Sequence, residues 1–291
     1  MPTKNSVVIT SALRTAIGSF GGTLKNIPAH DLGATVISES LKKSNLKKDE
    51  IDEVVMGQVL TAATGQNPAR QASIKSGIPK EKPAYIVNQV CGSGLRSVAS
   101  GFQSILSNDS QIVIAGGQEN MSASPHAINL RNGKKLGDTE LIDTMIKDGL
   151  WDAFNGYHMG NTAENVATEF QITREEQDKF AYNSQNKALR AQKENKFKDE
   201  IIKIKVKSKK SEIEFLKDEH PREGVDIESL KRLKSVFQKN GTVTAGNSSG
   251  INDGAAGVIL MSREEADKRN LMPLAKIVSW ATCGVDPSLM G

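Results

Sequence analysis

Five short apolar runs rich in β-branched residues punctuate the chain: Val7–Ile9, Val54–Met56, Tyr85–Val87, Ile112–Ala115 and Val258–Met261. Runs that are apolar at every position, not at alternate ones, predict strands buried on both faces. Between them the period changes. Leu95, Val98, Ala99, Phe102, Ile105 and Leu106 fall at offsets of 0, 3, 4, 7, 10 and 11, which draws one stripe along a helix. Asp31 is placed to cap a second helix carrying Leu32, Val36 and Leu41, and Pro68 suits the opening of a third. Strands alternating with helices predict α/β layers.

From about Met121 to Thr244 the texture shifts to fewer apolar runs, more charge and long amphipathic stretches, which predicts an inserted loop domain over residues 121–244. Its helix Glu175–Glu194 reads as a solvated face with i,i+4 pairs. The alternation Ile202, Lys203, Ile204, Lys205, Val206, Lys207, followed by Lys209 and Lys210, reads as one strand with a lysine face. Such a face either steers an anionic ligand or guards a sheet edge against pairing with other chains. Thr242–Ser249, rich in Gly, Ser, Thr and Asn, returns the chain to the core strand at Val258, and helical residues Glu264–Asn270 follow. Pro273 opens a last strand, Leu274–Trp280, before a loose tail that holds Cys283 and ends at Gly291. The expected division is one domain over 1–270 and the start of another over 271–291.

Composition narrows the class. With 291 residues, 37% hydrophobic and 25% charged, the chain has an ordinary globular make-up and length enough for a real core. A net charge of +4 and 4% aromatic residues give no reason to expect a nucleic-acid partner. No apolar run approaches the roughly 18–20 residues that cross a bilayer, and the first residues carry no signal-peptide core. The expected setting is the cytoplasm, with no membrane partner. Cys91 and Cys283 are far apart and lack C-x-x-C spacing, so reduced thiols and no metal site are expected.

One segment could carry chemistry. N-Q-V-C-G-S-G-L-R-S at Asn88–Ser97 follows a predicted strand and opens the striped helix, which puts Cys91 on a strand-to-helix elbow. Gly92 and Gly94 would permit its tight turn. The unpaired N–H groups of a helix start favour negative charge by up to about 2 kcal/mol, which suits a thiolate nucleophile. A small buried cysteine in a turn is the competing reading. G-S-G-L-R-S also approaches the dinucleotide fingerprint G-x-G-x-x-G/A. It ends in Ser97, however, and lacks the acidic residue about 20 positions on, where Ile112–Gly117 is apolar.

These residues, with five further ordered motifs, resemble the N-terminal half of a thiolase of the biosynthetic type. The motifs are R-T-A-I-G-S-F-G-G from Arg14, N-Q-V-C-G-S-G-L from Asn88, A-G-G-Q-E-N-M-S from Ala115, Y-H-M-G from Tyr157, D-E-H from Asp218 and T-V-T-A-G-N-S-S-G-I-N-D-G-A-A from Thr242. The match spans nearly the whole chain. It implies a thiolase-like α/β fold: a mixed five-stranded sheet flanked by helices, with an inserted loop domain. It also implies a reversible thioester Claisen condensation of two acetyl-CoA to acetoacetyl-CoA plus CoA, run through an acyl-cysteine. No cofactor is implied, because coenzyme A is part of the substrate.

By the same resemblance Cys91 is the acylated nucleophile, and its N–H is one donor of the oxyanion hole. His158 and Met159 lie along the pantetheine arm and acyl pocket, so His158 is not the proton-transfer base. Arg222 contacts the nucleotide end of CoA, and Leu150, Ala245, Ser249 and Ile251 line the pantetheine. Ser248 stands where the family often has Ala, a small departure. A-G-G-Q-E-N-M-S takes a structural role at a strand end and turn. His30 and His126 are expected in helix-start and loop contacts, and His220 in the nucleotide-side loop. Dimers or tetramers are implied for a complete protein.

The resemblance also implies a second half with an N-E-A-F-A segment, a G-H-P histidine that activates the nucleophile, and a C-x-G-G-G cysteine that takes the C2 proton. None of these occurs among the 291 residues. Cys283, in A-T-C-G-V-D-P, lacks the glycine run. The expectation is therefore a chain with little activity alone, an exposed apolar face and a possible separate C-terminal half as partner. The alternative is a catalytically silent CoA-binding or subunit-interaction module. A dinucleotide dehydrogenase is a third reading.

Overall fold

A computed structural model describes residues 6–207 and 211–290, so Lys209 and Lys210 lie outside the described residues. The chain divides into two compact units. The first holds the chain up to Ser124, Lys198–Asp218 and Asn252–Ala281; the second holds Pro125–Phe197, Glu219–Ile251 and the chain from Thr282. Part of the 121–244 stretch, Lys198–Asp218, thus belongs to the first unit.

The first unit is built on five principal strands: β1 (Val7–Thr15), β2 (Glu53–Gly57), β3 (Ala84–Val87), β4 (Ile112–Asn120) and β5 (Asn252–Ser262). They lie in the order β1-β5-β4-β2-β3. β5 runs antiparallel to both β1 and β4, whereas β2 runs parallel to β4 and β3, so the sheet is mixed. Three two-residue strands, Gly18–Ser19, Ile201–Ile202 and Ala275–Lys276, add to it and make it eight-stranded, not five-stranded.

Period-2 geometry explains the uninterrupted apolar runs. Val54, Met56, Ile112, Ile114, Ile259 and Met261 point to one face, where they pack with Ile37, Leu41, Ala69 and Ala72. Val55, Val113, Ala115 and Leu260 point to the other, where Ile105, Val98 and Phe102 meet them. Helices α1 (Ala29–Lys43) and α2 (Pro68–Ser76) therefore cover the first face, and α3 (Ser93–Leu106) covers the second.

Several local expectations are corrected. Asp31 does not cap α1, which starts at Ala29 after Pro28; it lies in the first turn and its carboxylate pairs with Lys75 of α2. Asn67 caps α2 with a bond from the Arg70 N–H, and Pro68 opens it. β3 is not a buried strand but a half-exposed edge, because among the described residues no strand pairs beyond it. The α3 stripe is wider than one core contact: Ala99 and Ile105 are buried, but Leu95 is 82% exposed. Of Leu274–Trp280 only Ala275–Lys276 pairs, on β1, with Ile277 N–H donating to Val7 O at 3.0 Å.

The lysine alternation is not one strand. Ile201–Ile202 joins the edge of β1, and Ile204–Lys207 turns into a hairpin with Glu212–Phe215. Lys203 meets Glu214 at 2.8 Å and Lys205 meets Glu212 at 3.0 Å, so this face is neutralised by glutamates. Ile202, Ile204 and Phe215 are buried with Leu13, Leu24 and Leu32.

The second unit carries α4 (Met159–Glu169), α5 (Arg174–Lys193) and α6 (Ile227–Lys231), with two-residue strand pairs at 126–127 with 142–143 and at 151–152 with 157–158. His126 thus sits in a strand pair, not a loop. Helix α5 is largely solvated, as expected, with Asp178 its one buried residue and Arg174–Asp178 an i,i+4 ion pair at 2.7 Å; a capping box of Thr173 and Glu176 starts it. Among the described residues no helix is long and apolar enough to cross a membrane.

Candidate active site

β3 ends at Val87, and five residues separate it from α3, which begins at Ser93. The reversal is closed by a cluster of hydrogen bonds. Asn88 Oδ1 accepts from the Val90 N–H at 3.0 Å, and Gly92 N–H donates to Gln89 O at 3.0 Å. The buried Ser93 hydroxyl accepts from the Gln89 N–H at 2.9 Å and donates to Val90 O at 2.5 Å. These bonds hold Val90 at φ 47°, the left-handed region that a β-branched residue rarely enters. The expected role of the glycines is corrected here: Gly92 is right-handed, Gly94 is not at positive φ, and the strained residue is Val90. Cys91 follows it, exposed at the start of α3.

The close approach that glycine permits lies one strand away. A Cβ on Gly57, the last residue of β2, would stand 2.4 Å from the Ser93 carbonyl carbon and 2.6 Å from Gly94 N. The first turn of α3 therefore rests directly on the end of β2.

A-G-G-Q-E-N-M-S from Ala115 fastens the surrounding loops. Gln118 donates to Gln58 Oε1 at 2.9 Å, and Asn120 donates to Leu24 O at 3.0 Å and Ile27 O at 2.7 Å. Glu119 was not singled out in the sequence, although a carboxylate at the end of an apolar, glycine-rich strand was the available signal. It accepts from Val59 N–H at 2.8 Å and Leu60 N–H at 3.2 Å, and Asn88 Nδ2 reaches Val59 O at 3.5 Å. Burial pushes its carboxyl up to about 7, with the charge of Asp253 adding to the rise and the two N–H bonds opposing it.

A carboxyl held above its ordinary value of 4.5 favours the fold when protonated. Its contribution is complete below the ordinary carboxylate range and is lost as pH climbs through about 7. The loss is bounded by about 3 kcal/mol at 1.4 kcal/mol per unit. Glu119→Gln removes this titration, so urea midpoints at about pH 5 and pH 8 should differ less in the variant than in the parent. Equal pH slopes in the two proteins would contradict the assignment.

The other candidates lie in the second unit. His158 caps α4: its Nδ1 accepts from Gly160 N–H at 3.0 Å, and its ring stacks on Phe237 at 4.8 Å and 15°. Burial lowers its pKa, and the accepting Nδ1 fixes the neutral ring with its proton on Nε2. Met159 is the first residue of the helix and half-buried. Ala245 and Ser249 are exposed and Ile251 is half-buried, all in the loop that Glu164 of α4 holds by the Thr242 and Val243 N–H groups. α4 therefore joins His158, Met159 and this loop in one framework. Arg222 is exposed, with its backbone N–H donating to Gln185 of α5 at 3.0 Å. Leu150 ends a π-helical turn and is half-buried. Among the described residues no cluster of His, Cys, Asp and Glu could hold a metal ion.

Known proteins converge on one family. The model of the thiolase N-terminal domain matches residues 7–264. An acetyl-CoA acetyltransferase of Rhizobium meliloti is 56% identical over 286 residues, covering 98% of this chain and 73% of that protein. One from Shinella zoogloeoides is 57% identical over the same length and with the same coverage. A probable acetyl-CoA acyltransferase of Staphylococcus aureus is 52% identical over 287 residues, again 98% of this chain and 73% of its own. The crystal structure of the Bacillus anthracis acetyl-CoA acetyltransferase matches with a TM-score of 0.96 at 41% identity, covering 100% of this chain and 74% of that one.

Proposed function

The chain belongs to the thiolase family, and from that premise we propose that it carries the acyl-accepting part of an acetyl-CoA acetyltransferase, with Cys91 as the nucleophile. The observation that carries the reading is the elbow itself: an exposed thiol at a helix start, directly after a strained residue whose shape is fixed by Asn88 and Ser93.

In this reading the Cys91 thiolate attacks the thioester carbonyl of acetyl-CoA. The resulting oxyanion lies at the positive end of α3, with the Cys91 N–H as one donor. Collapse breaks the bond to sulfur, the CoA thiolate leaves and takes up a proton, and the acetyl group stays on Cys91. In the second step the C2 carbanion of another acetyl-CoA displaces Cys91 and gives acetoacetyl-CoA. His158, neutral and with Nε2–H to donate, serves the pantetheine arm with Met159, not proton abstraction. Leu150, Ala245, Ser249 and Ile251 line that arm, and Arg222 meets the phosphate-bearing nucleotide end. Acetyl-CoA, acetoacetyl-CoA and CoA are the partners, and the family resemblance supports self-association into dimers or tetramers.

The C2 proton needs a base, and the resemblance assigns it to a C-x-G-G-G cysteine, with a G-H-P histidine to activate Cys91; neither segment occurs within these 291 residues. General acid-base groups contribute about 10²–10⁴-fold each. A polypeptide of these residues alone should accept acetyl groups slowly and form acetoacetyl-CoA at least about 10³-fold more slowly than when the remaining part of a relative is supplied. The check is acetoacetyl-CoA formation with and without that part. Sustained Cys91-dependent turnover by the polypeptide alone would contradict the assignment of the base. Binding of CoA with no acylation in either case would leave a binding module.

A further inference from the structure

The loop Thr242–Ile251 is suspended from two buried carboxylates. Glu164, on α4 and 4% exposed, accepts from Thr242 N–H at 2.9 Å, Thr242 Oγ at 2.9 Å and Val243 N–H at 2.8 Å. Gly241 permits this approach, since a Cβ there would stand 2.2 Å from Glu164 Oε1. Asp178, on α5 and 1% exposed, accepts from Asn247 Nδ2 at 3.0 Å and from Arg174 Nε at 2.7 Å. Arg174 also donates to Leu230 O at 2.7 Å, which ties in α6.

Asn247 is the junction. Its Oδ1 accepts from Thr244 N–H at 2.7 Å, and its Nδ2 donates both to Asp178 and to Thr242 O at 3.0 Å. Two of these three bonds need the amide NH2: a carboxylate at 247 could serve Thr244 but would face the Asp178 oxygen and the Thr242 carbonyl with no proton to give. Buried carboxylates are costly unless fully bonded, and here each is engaged by loop or helix donors. These bonds fix a decapeptide that is mostly buried or half-buried but leaves Ala245 and Ser249 exposed.

We propose that Asp178, acting through Asn247, is a positioning residue that holds Thr242–Ile251 in the shape that binds the pantetheine arm of CoA. The inference rests on the CoA-binding reading of Ala245, Ser249 and Ile251. It adds residues that touch no substrate and yet set the affinity for it. Preorganising a binding loop removes an ordering cost that would otherwise weaken binding.

The test compares the parent protein, Asn247→Asp, and the exchanged pair Asp178→Asn/Asn247→Asp. Acetyl transfer to Cys91 is followed against acetyl-CoA concentration, and iodoacetamide alkylation of Cys91 and the thermal midpoint are recorded beside it. Asn247→Asp should raise the half-saturating acetyl-CoA concentration at least about tenfold, with the change in that concentration and not in the limiting rate. Alkylation, which needs no CoA contact, should stay within about twofold. The exchanged pair again places one amide against one carboxylate, so it should recover the affinity to within about fivefold, short of full because Thr242 O loses its donor. A folded Asn247→Asp protein with unchanged half-saturation overturns the proposal. So does an exchanged pair that folds without regaining affinity, even if the single variant does not fold. A parent protein that alkylates but neither accepts acetyl from acetyl-CoA nor binds CoA overturns the CoA reading itself, and the proposal with it.

Discussion

Cys91→Ser stops acyl transfer from acetyl-CoA, lowering the rate of CoA release by at least about 10³-fold while leaving the fold unchanged. The two halves of this expectation come from separate observations. Cys91 is exposed and outside the three hydrophobic clusters of the first unit, so replacing sulfur by oxygen should move stability by no more than about 0.5 kcal/mol. The chemistry, by contrast, depends on sulfur. A serine hydroxyl is a far weaker acid than a thiol and a far poorer nucleophile, so the activation that suffices for sulfur does not suffice for oxygen. Cys283→Ser is the companion variant and should release CoA at the parental rate. Release kinetics on the three proteins, with thermal midpoints beside them, check both halves. Parental release by Cys91→Ser would remove the elbow from the mechanism.

Gly57→Ala should be strongly damaging to both the stability and the reactivity of the first unit. Its Cβ would press on the backbone of Ser93 and Gly94 at 2.4–2.6 Å, where no flexible side chain can yield. Either β2 or the first turn of α3 has to move. Overpacking of this kind costs about 1–3 kcal/mol and sometimes more. Because Cys91 stands two residues before Ser93, with only the N-cap Gly92 between, the same displacement reaches the nucleophile, and a shift of about 1 Å can cost about 10²-fold in rate. Gly94→Ala provides the contrast. Nothing lies within 4 Å of a Cβ there, so an alanine in α3 should be neutral or stabilising by up to about 1 kcal/mol. Urea midpoints and Cys91 acylation rates on both variants test the pair, and a Gly57→Ala protein as stable and as reactive as its parent would contradict this geometry.

The sheet was legible because both its faces are buried: Val54–Met56 and Ile112–Ala115 could be uninterrupted only if α1, α2 and α3 covered both sides. Short edge elements were not legible. Ile202–Lys207 alternates cleanly, but which half joins β1 and which forms a hairpin depends on Arg14 and on Glu212–Phe215, distant in sequence. Asp31 looks like a cap by residue type, but its partner is Lys75 on another helix. The elbow was placed correctly from the strand, the cysteine and the following stripe, while its strain was assigned to glycines because propensity cannot show that hydrogen bonds from Asn88 and Ser93 hold a valine at positive φ. Glu119, Glu164 and Asp178 escaped notice for a related reason. An acidic residue on a strand or helix reads as surface unless its partners are known, and theirs are the Val59 N–H, the Thr242 N–H and the Asn247 side chain.

The central claim is that Cys91 becomes the carrier of an acyl group taken from coenzyme A. Peptide mass mapping after incubation with acetyl-CoA carried to completion tests it most directly. The expected result is one acetyl group per chain, on the peptide that contains Cys91, removed again when free CoA is added. An unmodified Cys91 peptide, or acetyl found only on Cys283 or on lysines, would contradict it.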